Sequence, residues 1–207
     1  MTKSEQVPKK SRFKSEAIQW SVMIAVAAIL YMTGLHKDVI ATLQRAVMWT
    51  GLYDVTAQID ELNGPFLNAS DYRFTMTDQE GVQLNLDSFE GDVLFINLWA
   101  SWCPPCIAEM PTIQALHDGV ADRDNISFIM LSLDQERDEG RNFMENRGFE
   151  MPYYFPASSI PAELSSSYLP TTFVISAEGQ IVYKHEGFGN FNTPEFRNFL
   201  ISLAEES

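Results

Sequence analysis

Cysteine is scarce in this chain: two residues among 207, Cys103 and Cys106, with two positions between them. A disulfide closing so small a ring restrains little of the unfolded chain, which argues against a structural staple. A closed zinc site asks for four ligands, drawn mostly from Cys and His. Here the three histidines, His36, His117 and His185, are scattered, and no second cysteine pair exists. No G-x-G-x-x-G run is present, so no flavin or nicotinamide cofactor is expected. Basic residues are also few, 14 Lys and Arg against 28 Asp and Glu, for a formal net charge of −14. A body that acidic repels nucleic acid, which removes that class of partner. The reading left for the cysteine pair is redox work.

What is present is unevenly arranged. Residues 1–16 hold five basic groups against two acidic ones, so everything after Leu35 carries −17. Between them, residues 17–35 (AIQWSVMIAVAAILYMTGL) are uncharged. Nineteen residues at about 1.5 Å each nearly span a hydrocarbon core of about 30 Å. Trp20 and Tyr31 lie near its ends, where interfacial aromatics belong. A cleaved signal peptide is the rival reading. Its apolar region is usually shorter and ends in a small-residue cleavage site, which is missing here. The expectation is a basic cytoplasmic tail over 1–16, a single transmembrane anchor over 17–35, and the rest outside the cytoplasmic membrane, in a periplasm or on the outer face. Such a compartment permits disulfides.

Residues 36–65 are expected to form a short amphipathic helix and a linker. Val39, Ile40, Leu43, Ala46 and Val47 recur at helical spacing, Gly51 follows as a stop, and Asn63-Gly64-Pro65 is turn chemistry. From residue 66 to 207, strands and helices alternate. Strands are expected over Tyr72–Met76, Val82–Leu86, Val93–Trp99, Asn125–Leu133, Thr171–Ser176 and Ile181–His185. Helices are expected from Pro104 to His117, from Asp138 to Arg147 closed by Gly148, and from Pro194 to Ala204 with Thr193 as N-cap. The fold class is α/β with a central mixed β-sheet flanked by helices.

The pair Cys103/Cys106 falls where a buried strand gives way to a helix. Unpaired N–H groups and a partial positive charge at a helix start favour the thiolate, so Cys103 is expected to be the nucleophile. Cys106, one turn on, is placed to resolve a mixed disulfide. Pro104 and Pro105 suit the first turn, where their missing N–H groups cost no intrahelical bond. The amide donors left for Cys103 are then chiefly those of Cys106 and Ile107, so Pro104 is expected to keep the pair toward the reducing side. Glu109, three residues after Cys106, shares its side of the helix. The spacing fits either a solvated helix glutamate or a carboxylate that handles the protons of exchange. Asn97 is uncharged and cannot take that role. Pro170 immediately precedes a strand; about 5–6% of X–Pro bonds in folded proteins are cis, so the frequency alone favours trans.

The runs FINLWASWCPPCIAEMP and LPTTFVIS resemble the TlpA/ResA-like branch of the thioredoxin superfamily over about residues 66–204. The resemblance implies a thioredoxin-like fold with Cys103 attacking and Cys106 resolving, and a cis Pro170 against the disulfide. It also implies proton handling by Glu109 and a partner-binding groove along Trp102, Pro104, Pro105, Leu169 and Thr171. Family members usually carry a glycine shortly before the cis-proline. Here the run is Ser165-Ser166-Ser167-Tyr168-Leu169, which leaves partner preference open.

The function expected is a membrane-anchored reductase of disulfides in extracytoplasmic proteins, with cytochrome c maturation as the setting the resemblance suggests. An upstream membrane thiol carrier would supply electrons; beyond the redox-active disulfide, neither cofactor nor metal is expected. The same cysteines at a higher potential would serve a disulfide oxidase or isomerase. A non-enzymatic copper- or thiol-handling protein, with both sulfurs as soft ligands, is the remaining alternative.

Overall fold

The structure is a computed structural model and describes residues 12–33, 42 and 64–206. The amphipathic segment expected over 38–50 lies outside these apart from Thr42. One compact unit contains α1 (Arg12–Met32), and a second contains every later element. Among the described side chains of α1, the apolar Ile18, Trp20, Val22, Ile24 and Ile29 are exposed. Among the described residues no helix is long and apolar enough to cross a membrane. The expected span of 17–35 runs past Thr33, out of the described residues.

The second unit is built on seven strands in the order β2-β1-β5-β4-β3-β6-β7. In chain order these are β1 (Thr75–Thr77), β2 (Gln83–Asn85), β3 (Val93–Trp99), β4 (Ile126–Ser132), β5 (Tyr153–Pro156), β6 (Thr171–Ile175) and β7 (Ile181–Glu186). Strands β3, β4 and β5 run parallel, whereas β6 and β7 add antiparallel on one side and β1 and β2 on the other. Parallel neighbours need a crossover. The connections carry α2 (Pro104–Asp118) between β3 and β4, and α3 (Arg137–Arg147) between β4 and β5. Helix α4 (Pro194–Glu205) closes the chain.

Strand β3 is buried along its whole length, which is why it reads as a continuous apolar run. Its residues divide by the period of two. Val93, Phe95 and Trp99 join one core cluster with both cysteines, Met110 and Ile113 of α2, and Phe196 and Leu200 of α4. Leu94, Ile96 and Leu98 join the other, with Phe74, Leu86, Ile129 and Phe173. Asn97 has the parity of the first set, so it occupies a place in the stripe beneath α2 that would otherwise be apolar.

The expected mixed α/β sheet is therefore present, with three local corrections. The strand expected over Tyr72–Met76 is shorter and later, because Asp71 and Tyr72 donate their amides to Asn68 O in a turn. The strand expected over Val82–Leu86 ends at Asn85, where Leu86–Phe89 turns into a 3-10 helix. Strand β5 was not expected. Its four residues show no alternation, and its existence rests on pairing with Met130 and Leu131 of β4 and with Met76 and Thr77 of β1. The caps fall as expected: Thr193 Oγ1 accepts from Phe196 N at 3.2 Å, and Gly148 ends α3 at φ +67°.

Candidate active site

Beyond Trp99 the chain leaves the sheet through a turn, closed by Cys103 N donating to Ala100 O at 3.1 Å. Cys103 is the N-cap of α2 in extended conformation, with Pro104 and Pro105 in the first turn. Cys106 N donates to Cys103 Sγ at 3.3 Å, so an unpaired amide of the helix start faces the sulfur. The Ile107 amide instead donates to Cys103 O at 3.1 Å. Only one of the two expected donors therefore reaches the sulfur. The cysteines are joined as a disulfide, with Cα atoms 5.3 Å apart. Cys103 retains 4% exposure and Cys106 none, while Trp102 beside them is 49% exposed. Both cysteines are thus buried, and the little exposure the pair retains is on Cys103.

Glu109 is not a solvated helix residue. It is a fully buried residue of α2. Its Oε1 accepts from Asn97 Nδ2 at 2.8 Å, and its Oε2 from Gly189 N at 3.2 Å. Burial pushes its pKa up from 4.5 to about 8, against the two hydrogen bonds, which favour the anion. Asn97 Nδ2 also donates to Thr172 Oγ1 at 2.9 Å. Thr172 was not singled out from the sequence; it joins the group because Asn97 and Thr172 are register partners across β3 and β6. His185, register partner of Thr172, is half-buried. Its ring meets Phe191 edge-on at 6.1 Å and stacks at 6.4 Å on Tyr183.

The Leu169–Pro170 peptide is cis, as the family resemblance implied and against the frequency argument. Leu98 and Thr171 are register partners, so Pro170 stands at the end of β3 from which the cysteine turn departs. Leu169 packs against the cluster that holds both cysteines, and Thr171 is buried. Thr171 Oγ1 donates to Tyr168 O at 2.8 Å. In the serine run, Ser166 Oγ donates to Glu186 Oε1 at 3.1 Å and accepts from Tyr168 N at 3.1 Å. The Ser166 hydroxyl thus pins the loop before Pro170, and Ser165, Ser166 and Ser167 line an open cleft with Lys184 and Glu186. Tyr168 projects from it, 64% exposed. Among the described residues no group of three or more His, Cys, Asp or Glu side chains is placed to hold a metal ion.

The sequence profile of the Redoxin family matches residues 66–200. The thiol-disulfide oxidoreductase ResA of Bacillus thuringiensis subsp. konkukian is 30% identical over 118 residues, covering 55% of this chain and 66% of that protein. ResA of Bacillus subtilis is 26% identical over 110 residues, 53% of this chain and 61% of that protein. The match thus spans a little under two thirds of the length of these relatives. Among solved structures, the thioredoxin domain of a thiol-disulfide oxidoreductase from Bacteroides vulgatus superposes with a TM-score of 0.57 at 16% identity, covering 69% of this chain and 97% of that one. At that identity the likeness concerns the fold alone. The match to the Redoxin profile takes in every strand of the sheet, the cysteine turn and Pro170: the chain belongs to the Redoxin family.

Proposed function

We propose that the chain is a protein thiol–disulfide oxidoreductase that reduces disulfides in partner proteins through Cys103 and Cys106. The observation that carries this reading is the Cys103–Cys106 pair at the start of α2, with Cys106 N donating to Cys103 Sγ at 3.3 Å. In the dithiol form, the Cys103 thiolate attacks one sulfur of a partner disulfide, and the first partner thiolate leaves. Cys106, as thiolate, then attacks Cys103 Sγ, forms the intramolecular disulfide and releases the second partner thiolate. Two electrons pass to the partner, and its two thiolates take up the protons the cysteines gave up. Glu109, one turn after Cys106, acts as the proton acceptor for Cys106 in its ionised form, whose share grows as pH rises toward its pKa of about 8. Trp102, Pro104, Pro105, Leu169, Pro170 and Thr171 form the surface on which the partner segment lies.

The resemblance extends the proposal to disulfides of extracytoplasmic proteins, with cytochrome c maturation as the setting and a membrane thiol carrier returning the chain to its dithiol form. Residues 17–35 anchor the chain in the cytoplasmic membrane: the run is uncharged, and its exposed Ile18, Trp20, Val22 and Ile24 seek lipid. Trapping tests the chemistry. With Cys106→Ser, mixed disulfides with partner proteins should accumulate through Cys103 and vanish in Cys103→Ser/Cys106→Ser; their absence would remove the exchange reading. Deleting residues 1–35 should release the chain from membranes into the soluble fraction, and a truncated chain that stays with the membranes would remove the anchor.

A further inference from the structure

Ser101 occupies the first corner of the turn that leads from β3 into Cys103, and its contacts reach across to the loop after β4. Its N–H lies 3.1 Å from both carboxylate oxygens of Asp134, and its hydroxyl donates to Oδ1 at 2.8 Å. Oδ2 accepts from the buried Ser132 Oγ at 2.8 Å. The sheet delivers this carboxylate. Trp99 and Ser132 are register partners, and Leu133 N donates to Trp99 O at 2.8 Å, which carries the β3–β4 ladder one step past the strands. Gly140 of α3 leaves the necessary room: a Cβ there would stand 2.6 Å from Ser132 Oγ and 3.1 Å from Asp134 Oδ2.

Resting on the exchange reading above, we infer that Asp134 is a positioning residue for the nucleophile. By holding the amide and the hydroxyl of Ser101 it fixes the corner that presents the half-exposed Trp102 and aims Cys103 at a docked partner. Asp134 also places a carboxylate on Ser101, two residues before Cys103, where a negative charge opposes the Cys103 thiolate and favours the disulfide over the dithiol. Position and charge separate in different variants. Ser101→Ala removes the hydroxyl bond and keeps the charge; Asp134→Asn keeps the shape and removes the charge; Asp134→Ala removes both.

The test uses the full chain, with equilibration of Cys103–Cys106 against glutathione and rates of reduction of a protein disulfide and of a small-molecule disulfide. For Asp134→Ala the equilibrium should move about tenfold toward the dithiol, and the protein-to-small-molecule rate ratio should fall about tenfold. Asp134→Asn should show the equilibrium shift even if the alanine variant does not fold. Ser101→Ala should lower the rate ratio about threefold and leave the equilibrium in place. Asp134→Asn and Ser101→Ala that keep the wild-type equilibrium and rate ratio, with only a lower melting point, would overturn the inference and leave Asp134 a structural tie. A wild-type chain that forms no reversible disulfide would overturn the exchange reading and this inference together.

Discussion

Asn97 of β3 donates its side-chain amide to the Glu109 carboxylate of α2 across 2.8 Å, and neither residue is exposed. A carboxyl group is thus held inside the core one turn beyond Cys106, in contact with donors but not with water. The donors from Asn97 and Gly189 favour the anion and burial favours the acid; burial dominates and brings the pKa to about 8. This buried acid has consequences for both stability and chemistry.

Between its ordinary value of 4.5 and about 8, folded Glu109 holds a proton that the unfolded chain has released. The native state therefore binds more protons, and stability falls as pH rises through that window. The contribution is present in full below about 4.5 and lost above about 8. Its size is of the order of a few kcal/mol, at about 1.4 kcal/mol per unit of displacement. Glu109→Gln, neutral at every pH, should flatten the slope and exceed the wild type in stability above about pH 8. Parallel curves of unfolding midpoint against pH for the two proteins would contradict this.

The chemistry should titrate with the same group. If Glu109 accepts the Cys106 proton, the rate at which the mixed disulfide resolves should show an inflection near about pH 8 in the wild type. In Glu109→Gln the inflection should disappear and the rate fall on the order of a hundredfold. Single-turnover kinetics against pH separates this step from the first attack. An unchanged inflection would assign it to another group.

Phe191 is fully buried, with its ring 5.5 Å from Phe95 and 5.2 Å from Phe196. Phe191→Ala should cost about 3–5 kcal/mol in urea unfolding. Its backbone N donates to Thr112 Oγ1 at 3.3 Å, two residues from the Gly189 amide that serves Glu109. The same variant should therefore also move the pH dependence of resolution, which a purely distant core cavity would leave alone.

Thr193→Ala removes the N-cap acceptor for Phe196 N and should cost about 1 kcal/mol. It lies away from the cysteine turn, so the glutathione equilibrium should be unaltered. A change in that equilibrium would reveal coupling between α4 and the cysteine pair through the shared core.

Local signals in the chain were enough to locate the cysteine turn. The β3 run, the two prolines and the Cys103/Cys106 spacing all concern neighbouring residues, and helix starts, caps and breakers act within a turn or two. That is why α2, α3, α4, the Gly148 stop and the Thr193 cap were legible without coordinates, and why the central strands fell within a residue or two of their places. The cis state of Pro170 was legible only through the resemblance of its motif to a family.

What only the tertiary structure decided are the partnerships across the sheet. Strand β5 has no period of its own and becomes a strand by lying between β4 and β1. Glu109 looks like any helix glutamate until the register of β3 sets Asn97 beneath it and the loop after β7 brings the Gly189 amide to its other oxygen. Asp134 gains its place from the parallel ladder that ends beside Ser101. In each case a sequence position specifies which atoms a residue can offer, while the sheet register specifies which distant atoms they meet. Burial then sets the energy of that meeting, and here it turns a common carboxylate into one that titrates at about 8.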